Sequence, residues 1–247
     1  MDILVCISKT PDTTSRVSFK SGDTEYNSDG ISFILNPYDE WYALVRALEI
    51  AETHQGKVTV VHAGDQSSDI VIRKALAIGA EEAIRIDINP KDPFETAFQI
   101  ASQVRSGNYR FILTGKETID YNGAVMGSIL AEMLDAPFIA NITRLDMTGP
   151  DAYEITREIE GGEEVCVLNG FFVASAAKGL AEQRIPNMKG IMMSKSKPLQ
   201  VVPAVPFNNV VSVEKFTLPE AKKGVTMISP ENMEELVRLL HEEAKVI

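Results

Sequence analysis

Apolar residues of the chain fall into short runs that alternate with longer amphipathic segments. The short runs predict strands at residues 3–7, 58–62, 83–88 and 111–114. The segments between them predict helices at residues 38–53, 67–78, 93–106 and 124–134. Because strands this apolar need cover on both faces, the alternation predicts an α/β fold with a doubly wound, mostly parallel, Rossmann-like sheet.

After Pro137 the pattern changes to extended runs without helical segments between them. These runs cover residues 141–147, 154–160, 163–168 and 171–175, and Gly161-Gly162 is a hairpin signal. Strands that follow one another in this way pair antiparallel, so we expect antiparallel strands at an edge of the sheet. An insertion at residues 14–35 also predicts a hairpin, because it contains Gly22-Asp23 and Asp29-Gly30 turns.

The sequence predicts that the C-terminal part of the chain is an extended arm. Prolines at positions 198, 203, 206 and 219 interrupt any regular element after Lys195. A final amphipathic helix at residues 230–246 is predicted, with Ser229 as its N-cap and Pro230 at its first position. We therefore divide the chain into a domain of residues 1–197 and an arm of residues 198–247, which packs on its own domain or on another subunit.

Composition narrows the function. A net charge of -11 argues against nonspecific binding to nucleic acid. Asp2 stands where a secretory signal carries positive charge, and no apolar stretch approaches the roughly 20 residues that span a bilayer. We expect a cytoplasmic protein that does not insert into a membrane. The sequence predicts buried free thiols for Cys6 and Cys166 and shows no cluster of metal ligands.

Three loops follow strands of the predicted sheet and are expected to meet at its carboxyl edge. They cover residues 8–13, 62–65 and 114–123. The third leads into a helix, whose first N–H groups attract anions, so it is the best phosphate candidate. For each loop alone, a simpler interpretation is that Gly115 and Gly123 make turns and Asp120 caps a helix. Neither the dinucleotide fingerprint nor the phosphate loop of nucleoside triphosphatases is present.

Two features of the second half are the most informative. A charged strand and turn read Arg-Glu-Ile-Glu-Gly-Gly-Glu-Glu at residues 157–164, and a basic, Met-rich loop follows at residues 184–197. In the first half, Asn36-Pro37-Tyr38-Asp39 opens a helix, where Asn36 is a candidate cap and Pro37 fits the first position. Together these segments resemble beta subunits of electron transfer flavoproteins over most of the chain.

The resemblance implies a fold of the adenine-nucleotide-binding type and a set of cofactor contacts. Residues Asn36, Pro37, Tyr38 and Asp39 would lie beside the adenine nucleotide and face the flavin. The nucleotide pocket would be lined by Cys6, Ile7, Ala63, Gly64, Gly115, Asp120, Asn122, Gly123, Ala124, Val125, Met126 and Gly127. In many family members the pocket holds AMP as a structural ligand, while a larger alpha subunit holds most of the redox FAD and packs against the arm. No residue of this chain would perform acid or base catalysis.

The chain departs from the family pattern before Gly127. Ala124, Val125 and Met126 stand where members often carry a polar residue or Ala, then Gln, then Thr or Val. The missing Gln removes a side-chain donor and acceptor from the expected pocket. Two alternative functions also stay open. One is the subunit of an electron-bifurcating flavoprotein that binds its own FAD, and the other is an enzyme that hydrolyses adenine nucleotides on a similar sheet.

Residues 184–197 are called the docking segment below. Pro186, Gly190 and Pro198 argue against a regular helix there, although several of its residues are apolar. In the family the aligned loop docks into acyl-CoA dehydrogenases through one aliphatic anchor, whose position is taken by Met188. The expected docking residues are Arg184, Met188, Ile191, Met192, Lys195 and Lys197. The alternative is that Met188 belongs to the core. Electrons would pass onward to a quinone oxidoreductase.

Overall fold

The first strand of the chain lies near the middle of a large sheet, flanked by strands from later in the sequence. The computed structural model describes residues 1–105, 107–221 and 224–247. In chain order the strands are β1 (Asp2–Cys6), β2 (Lys9–Pro11), β3 (Phe19–Lys20), β4 (Glu25–Tyr26), β5 (Phe33–Leu35), β6 (Lys57–Ala63), β7 (Glu82–Asp87), β8 (Tyr109–Gly115), β9 (Phe138–Met147), β10 (Ala152–Ile159), β11 (Gly162–Asn169), β12 (Val173–Ala176) and β13 (Leu199–Pro203). The helices are α1 (Asp39–His54), α2 (Asp69–Ile78), α3 (Pro93–Val104), α4 (Met126–Met133), α5 (Met188–Ser194) and α6 (Met233–Arg238), and a 3-10 turn (Gln66–Ser68) precedes α2.

The described chain divides into two compact units. One contains residues 1–17 and 27–214, and the other contains residues 18–26 and 215–247. In the first unit the described strands form a nine-stranded sheet in the order β11-β10-β9-β12-β8-β1-β6-β7-β13. In this spatial order, every pair of neighbouring strands from β9 through β12, β8, β1, β6 and β7 to β13 is parallel. Strand β10 pairs antiparallel with both of its neighbours, β9 and β11. The predicted α/β fold with antiparallel edge strands is confirmed.

Helices cover both faces of this sheet. Apolar residues of α1 and α2, such as Leu44 and Ile72, pack with Val5 and Leu113 in one core cluster. Residues of α3 and α4 form the second cluster with the opposite faces of β1, β6 and β8. The four helices predicted between the strands are present, and Ser106, the predicted end of the third, lies outside the described residues. This double cover explains why the central strands are apolar at nearly every position.

Strand β12 corrects the expectation of antiparallel pairing for the run at residues 171–175. It lies inside the sheet and pairs parallel with both β8 and β9. Its four residues are buried, so a position at the exposed edge would leave apolar surface in water. The hairpin of β10 and β11 is present as expected, and Ile159 pairs with Gly162, so the turn lies one residue earlier than predicted.

Strand β13 was not predicted, because prolines flank it. It pairs with β7 at the edge of the sheet, where a proline costs no hydrogen bond to a further strand. The first unit therefore continues past residue 197, the boundary suggested by the sequence, and ends at Glu214. Beyond β13 the chain stays tied to α3, because the side-chain amide of Gln99 donates to the carbonyl of Val205 at 2.8 Å and accepts from its N–H at 2.9 Å.

Two helices differ from the sequence prediction. The docking segment contains the short helix α5, whose first turn is capped by the Asn187 side chain through the N–H of Gly190. In the second unit the terminal helix begins at Met233 rather than at Pro230, because Asn232 is the N-cap and accepts from the N–H of Glu235. A π-helical turn, Leu239–Ala244, follows α6. The second unit also contains the predicted hairpin of β3 and β4.

The two cysteines are free, but they differ in burial. Cys6 is buried in β1, as expected, whereas Cys166 is only half-buried. The prediction for Cys166 is wrong because β11 is an edge strand with most of its residues exposed. No helix among the described residues is long and apolar enough to cross a membrane.

Candidate functional site

A cavity of about 470 Å³ opens at the carboxyl ends of β1, β6, β7 and β8. The chain leaves β1 toward β6 on one side, while β8 lies on the other, so the strand order reverses at β1. Ligands of doubly wound folds bind at this kind of switch point. The volume falls within the range of small-molecule sites. Of the predicted cofactor residues, those that line the cavity are Cys6, Ile7, Ala63, Gly64, Gly115, Asp120, Gly123, Ala124, Val125 and Met126.

The remaining predicted residues lie in the framework around the cavity. Gly127 lets α4 approach the sheet, because an added Cβ would stand 2.8 Å from the Thr114 hydroxyl and 3.0 Å from the Phe138 ring. Asn122 has a left-handed backbone with φ of 49°, as does the lining residue Ala124 with φ of 52°. That conformation costs roughly 1–2 kcal/mol for a residue with a Cβ, and such strain is concentrated at functional sites.

Asn36 is not the cap of α1. It is fully buried, and its side chain donates to the carbonyl of Glu117 at 3.0 Å and accepts from the N–H of Ile119 at 3.1 Å. The start of α1 is thereby fastened to the loop after β8. Tyr38, rather than Asn36, is the residue that precedes the first helical residue, Asp39.

Tyr38 has an unfavourable backbone conformation and an exposed side chain. Its φ is 64°, and 53% of its surface is accessible. A β-carbon in this conformation is unfavourable, and an exposed aromatic ring gains nothing from the core. Tyr38 therefore lies at the surface, two residues before the cavity-lining Glu40, in a conformation that local preference alone would not select.

Asp120 does not cap a helix. Its carboxylate accepts from the N–H of Tyr121 at 3.0 Å, and α4 begins six residues after Asp120, at Met126, with no side-chain cap from Val125. Within the described part of the chain, no side chain caps the first N–H groups of α4, which lie next to the lining residues Val125 and Met126. An anionic ligand group in the cavity would find these donors at its wall.

The sequence analysis missed several lining residues that carry polar side chains. His62 is nearly buried, and its Nδ1 lies 2.8 Å from the carbonyl oxygen of Ile7. Burial lowers the pKa of His62 to about 4, so the ring is neutral at pH 7, Nδ1 carries the proton and Nε2 is an acceptor. The hydroxyl of Ser68 is buried and has no hydrogen-bond partner among the described residues. A Cβ on Gly64 would overlap both groups, so glycine keeps the space between them open.

Glu40 is a second missed residue. It lies in the first turn of α1, is buried against the cavity, and accepts the N–H of Ser8 at 2.5 Å. Burial is the main cause that raises the pKa of Glu40 to about 8; hydrogen bonds from Ser8 oppose the shift, and the carboxylates of Asp120 and Asp39 add to it. Burial, followed by the charge of Glu40, also raises the pKa of the Cys6 thiol, which stays protonated.

A fourth loop, at residues 89–93 after β7, completes the wall of the cavity. It contributes Lys91, and Lys9 and Lys116 come from the other loops, so three cations border the site. This loop could have been predicted from the sequence. Strand β7 was predicted, and in a parallel sheet its carboxyl end lies at the same edge as those of β1, β6 and β8. No group of three or more metal-binding side chains is found in the described parts of the chain.

The docking segment lies on the outer side of α2. Arg184 forms an ion pair with Glu52, and its carbonyl accepts from the indole N–H of Trp41 at 3.2 Å. At the other end, the Arg73 guanidinium donates to the carbonyls of Ser194 and Lys197, each at 2.7 Å. Between these attachments α5 presents exposed apolar side chains, of which Met188 at 74% and Met192 at 71% are the most accessible. The core alternative for Met188 is therefore wrong.

Comparison with known proteins identifies the family of the chain. A family model described as the electron transfer flavoprotein domain matches residues 25–206. The chain belongs to the family of electron transfer flavoprotein beta subunits. The beta subunit of Bacillus subtilis is 32% identical over the whole of both chains. That of Syntrophomonas wolfei is 33% identical over 94% of this chain and 91% of the relative. Protein FixA of Azorhizobium caulinodans is 32% identical over 67% of this chain and 62% of the relative.

The names of the relatives describe electron transfer. The relatives are named as subunits of electron transfer proteins rather than for a reaction on a substrate. In the cavity the imidazole of His62 is neutral and bonded to the backbone, and the Cys6 thiol is held protonated. A thiol that is held protonated is a poor nucleophile.

Proposed function

We propose that this chain pairs with a larger alpha subunit in a heterodimer that works in the cytoplasm. The complex takes electrons from flavoprotein dehydrogenases, such as acyl-CoA dehydrogenases, and passes them to a quinone oxidoreductase. The alpha subunit holds most of the FAD that carries the electrons. The observation that carries this proposal is the match to electron transfer flavoprotein beta subunits along the full length of the chain.

The role proposed for the cavity is to hold one adenine nucleotide, AMP, as a structural ligand. Its volume of about 470 Å³ and its place at the switch point suit a nucleotide. Lys91 and the uncapped start of α4 supply positive potential for a phosphate, and the apolar lining residues Val125 and Met126 offer surface to a flat base. A ligand that binds only the folded chain would stabilise it by mass action.

The proposed role of Tyr38 is to form one side of the flavin environment at the alpha-subunit interface. Its exposed ring, fixed by the strained backbone between Pro37 and Asp39, supports this role. The exposed apolar residues of the second unit support a large interface with the alpha subunit. Met233 and Val237 of α6 are each 55% exposed, and a lone helix of this length is not stable in water.

Coexpression with an alpha subunit tests the proposal. We expect a stable one-to-one complex that contains FAD, whereas the chain alone should be poorly soluble and easily unfolded. Size-exclusion chromatography with light scattering gives the stoichiometry, and the absorbance of the complex gives the flavin content. A stable monomer without affinity for any alpha subunit would refute the heterodimer.

Ligand analysis of the same complex tests the occupant of the cavity. Mass spectrometry of the nucleotides released by denaturation is expected to find AMP and FAD in equal amounts. Two FAD per heterodimer and no AMP would instead support an electron-bifurcating subunit with its own flavin. Turnover of ATP by the purified chain would support the hydrolase.

A further inference from the structure

Helix α5 turns its small residues to the domain and its large residues to solvent. Of its seven residues, only Gly190 is half-buried and only Ser194 is buried, and these two lie four positions apart on one face. The exposed residues include all of its large apolar side chains, which are Met188, Ile191, Met192 and Met193. An amphipathic helix ordinarily faces the core with such side chains. Burial of apolar side chains therefore contributes little to holding α5 on the domain.

The conformation of α5 depends on its attachments, because a helix of seven residues does not form stably by itself in water. At its start, the side chain of Asn187 accepts from the N–H of Gly190 at 2.8 Å. At its end, the Arg73 guanidinium donates to the carbonyl oxygens of Ser194 and Lys197, each at 2.7 Å. The last carbonyl groups of a helix have no partner inside it, and a cation near them is favourable. Arg73, on α2, supplies both the donor and the positive charge.

The middle of α5 lies against the C-terminal turn of α2. An added Cβ on Gly190 would stand 2.4 Å from the carbonyl oxygen of Ala77, which is a backbone atom and cannot move aside as a flexible side chain does. Alanine is otherwise preferred over glycine in a helix interior. The close approach of α5 to α2 is therefore the reason that glycine suits this position.

A fixed helix with exposed apolar side chains is unfavourable in the free chain and favourable for binding. Apolar surface in contact with water raises the free energy of the free chain. A segment that already has its bound conformation loses less conformational entropy when it docks. The attachments of α5 thus affect docking, although Arg73 and Gly190 need no contact with the partner.

We propose that Arg73 and Gly190 are positioning residues, which hold α5 in the conformation that a flavoprotein dehydrogenase binds. The inference rests on the proposed function, because it takes the dehydrogenase as the partner of the docking segment. When either attachment is lost, α5 has this conformation in only a fraction of the molecules. The apparent dissociation constant then rises by the inverse of that fraction. Electron transfer in molecules that have docked is unchanged.

Two variants test this role in the heterodimer that contains FAD. Gly190→Ala blocks the approach to α2, and Arg73→Met removes the donor at the end of α5 but keeps an unbranched stem. An acyl-CoA dehydrogenase is the electron donor, and the heterodimer is its acceptor. We expect KM for the heterodimer to rise about tenfold while kcat stays native, which corresponds to about one molecule in ten with α5 in the docking conformation. Gly162→Ala is the control, since a Cβ on this glycine of β11 meets nothing within 4 Å.

Hydrogen exchange followed by mass spectrometry gives a second readout, which does not depend on the partner. The amides of residues 191–195 should exchange faster in both variants than in the native heterodimer, because α5 opens more often. Amides of the buried strands β1 and β8 should exchange at the native rate. FAD content should also stay native, since neither variant changes the described cavity.

Met188→Ala, measured beside these variants, separates the inference from the proposed function. If Met188→Ala raises KM while Gly190→Ala and Arg73→Met keep the native KM, the docking surface stands and the positioning role is overturned. A rise in KM without faster exchange in α5, or with a loss of kcat, also overturns the positioning role. A native KM in all three variants, or a native heterodimer that the dehydrogenase does not reduce, overturns both proposals.

Assembly of the variants is itself an outcome. If Gly190→Ala does not assemble with FAD, Arg73→Met decides the matter alone, because it adds no atom between α5 and α2. Failure of both variants to assemble would show that these residues support the whole fold rather than the conformation of α5, and this result would overturn the inference as well.

Discussion

The ammonium group of Lys197 lies 2.6 Å from the carbonyl oxygen of Ala80. It also donates to the carbonyls of Leu76 and Gly79, so it caps the C-terminal end of α2. Burial lowers the pKa of Lys197, yet the three acceptors and the helix terminus favour a cation there. Lys197 thus holds the end of the docking segment on the domain, through hydrogen bonds made within the chain.

Replacing Lys197 with methionine removes these hydrogen bonds and keeps the apolar stem. The carbonyls at the end of α2 then lose a partner, and we expect the free energy of unfolding to fall by about 1–3 kcal/mol. Denaturant titration of the complex measures this change in the free energy of unfolding. Lys195→Met is the matched control, because Lys195 is exposed, and its effect should stay within about 0.5 kcal/mol. Equal effects of the two variants would contradict this role.

Gly115→Ala is expected to disturb the start of α1 and the cavity together. The new Cβ would stand 3.0 Å from the Glu40 backbone nitrogen and closer still to its side chain. Overpacking of this kind costs about 1–3 kcal/mol, and displacement of Glu40 should weaken AMP binding as well. Gly162→Ala is the control, since Gly162 lies in β11, does not line the cavity, and a Cβ there meets nothing within 4 Å. A thermal melt with and without AMP compares them, and native behaviour of Gly115→Ala would rule out the close approach.

The neutral state of His62 makes stability depend on pH. Its pKa is about 4 in the folded chain and about 6.5 when unfolded, so the unfolded state binds more protons between these values. Stability contributed by His62 is therefore full above pH 6.5 and is lost as the pH falls toward 4. In His62→Asn, the amide N–H replaces Nδ1–H and does not titrate, so the loss over this range should be smaller. Urea unfolding from pH 4 to 7 measures it, with the exposed His54→Asn as control.

An unchanged slope in His62→Asn would show that other groups set the acid sensitivity of the fold. The variant is informative even if it is less stable at pH 7, because the comparison is between slopes. Loss of the hydrogen bond to Ile7 lowers stability at every pH alike, whereas loss of the titrating ring acts only where the two pKa values differ.

How far the sequence predicts this fold depends on the kind of contact. Strands such as β1 and β8 were predicted because their apolar runs report burial on both faces. The position of β12 in the sheet was not predicted, because a run of four buried residues does not indicate which strands lie beside it. β13 was missed because Pro198 and Pro203 discourage a strand, and only its place at the edge makes them acceptable.

The prediction of site residues was limited in the same way, because contacts between distant parts of the chain are not visible in the sequence. Loop glycines such as Gly64 and Gly115 were identified because they follow predicted strands. Glu40 was missed, since a glutamate in the first turn of a helix ordinarily faces water, and its burial arises from packing against Ser8 and Gly115. Asn36 was assigned to a helix cap because the sequence does not show that Glu117 and Ile119 supply its partners 81 and 83 residues away.

Met188 offers the sharpest test of partner docking. Its side chain is exposed on α5, and that helix is fastened at both ends to the domain. Truncating a central anchor commonly costs about 2 kcal/mol or more in binding, and each 1.4 kcal/mol is a factor of ten. Met188→Ala should therefore reduce electron transfer from a cognate flavoprotein dehydrogenase by roughly tenfold or more at subsaturating concentration. FAD content and melting temperature should stay as in the native complex.

Met147→Ala is the matched control for this test, because Met147 is half-buried and packs against the core. Its loss leaves a cavity, so the melting temperature should fall while transfer per folded molecule stays native. The two methionine variants should thus show opposite patterns in the melt and in the transfer assay. If Met188→Ala transfers electrons at the native rate, the exposed face of α5 is not the dehydrogenase contact, and the anchor must be sought elsewhere on the docking segment, beginning with Met192.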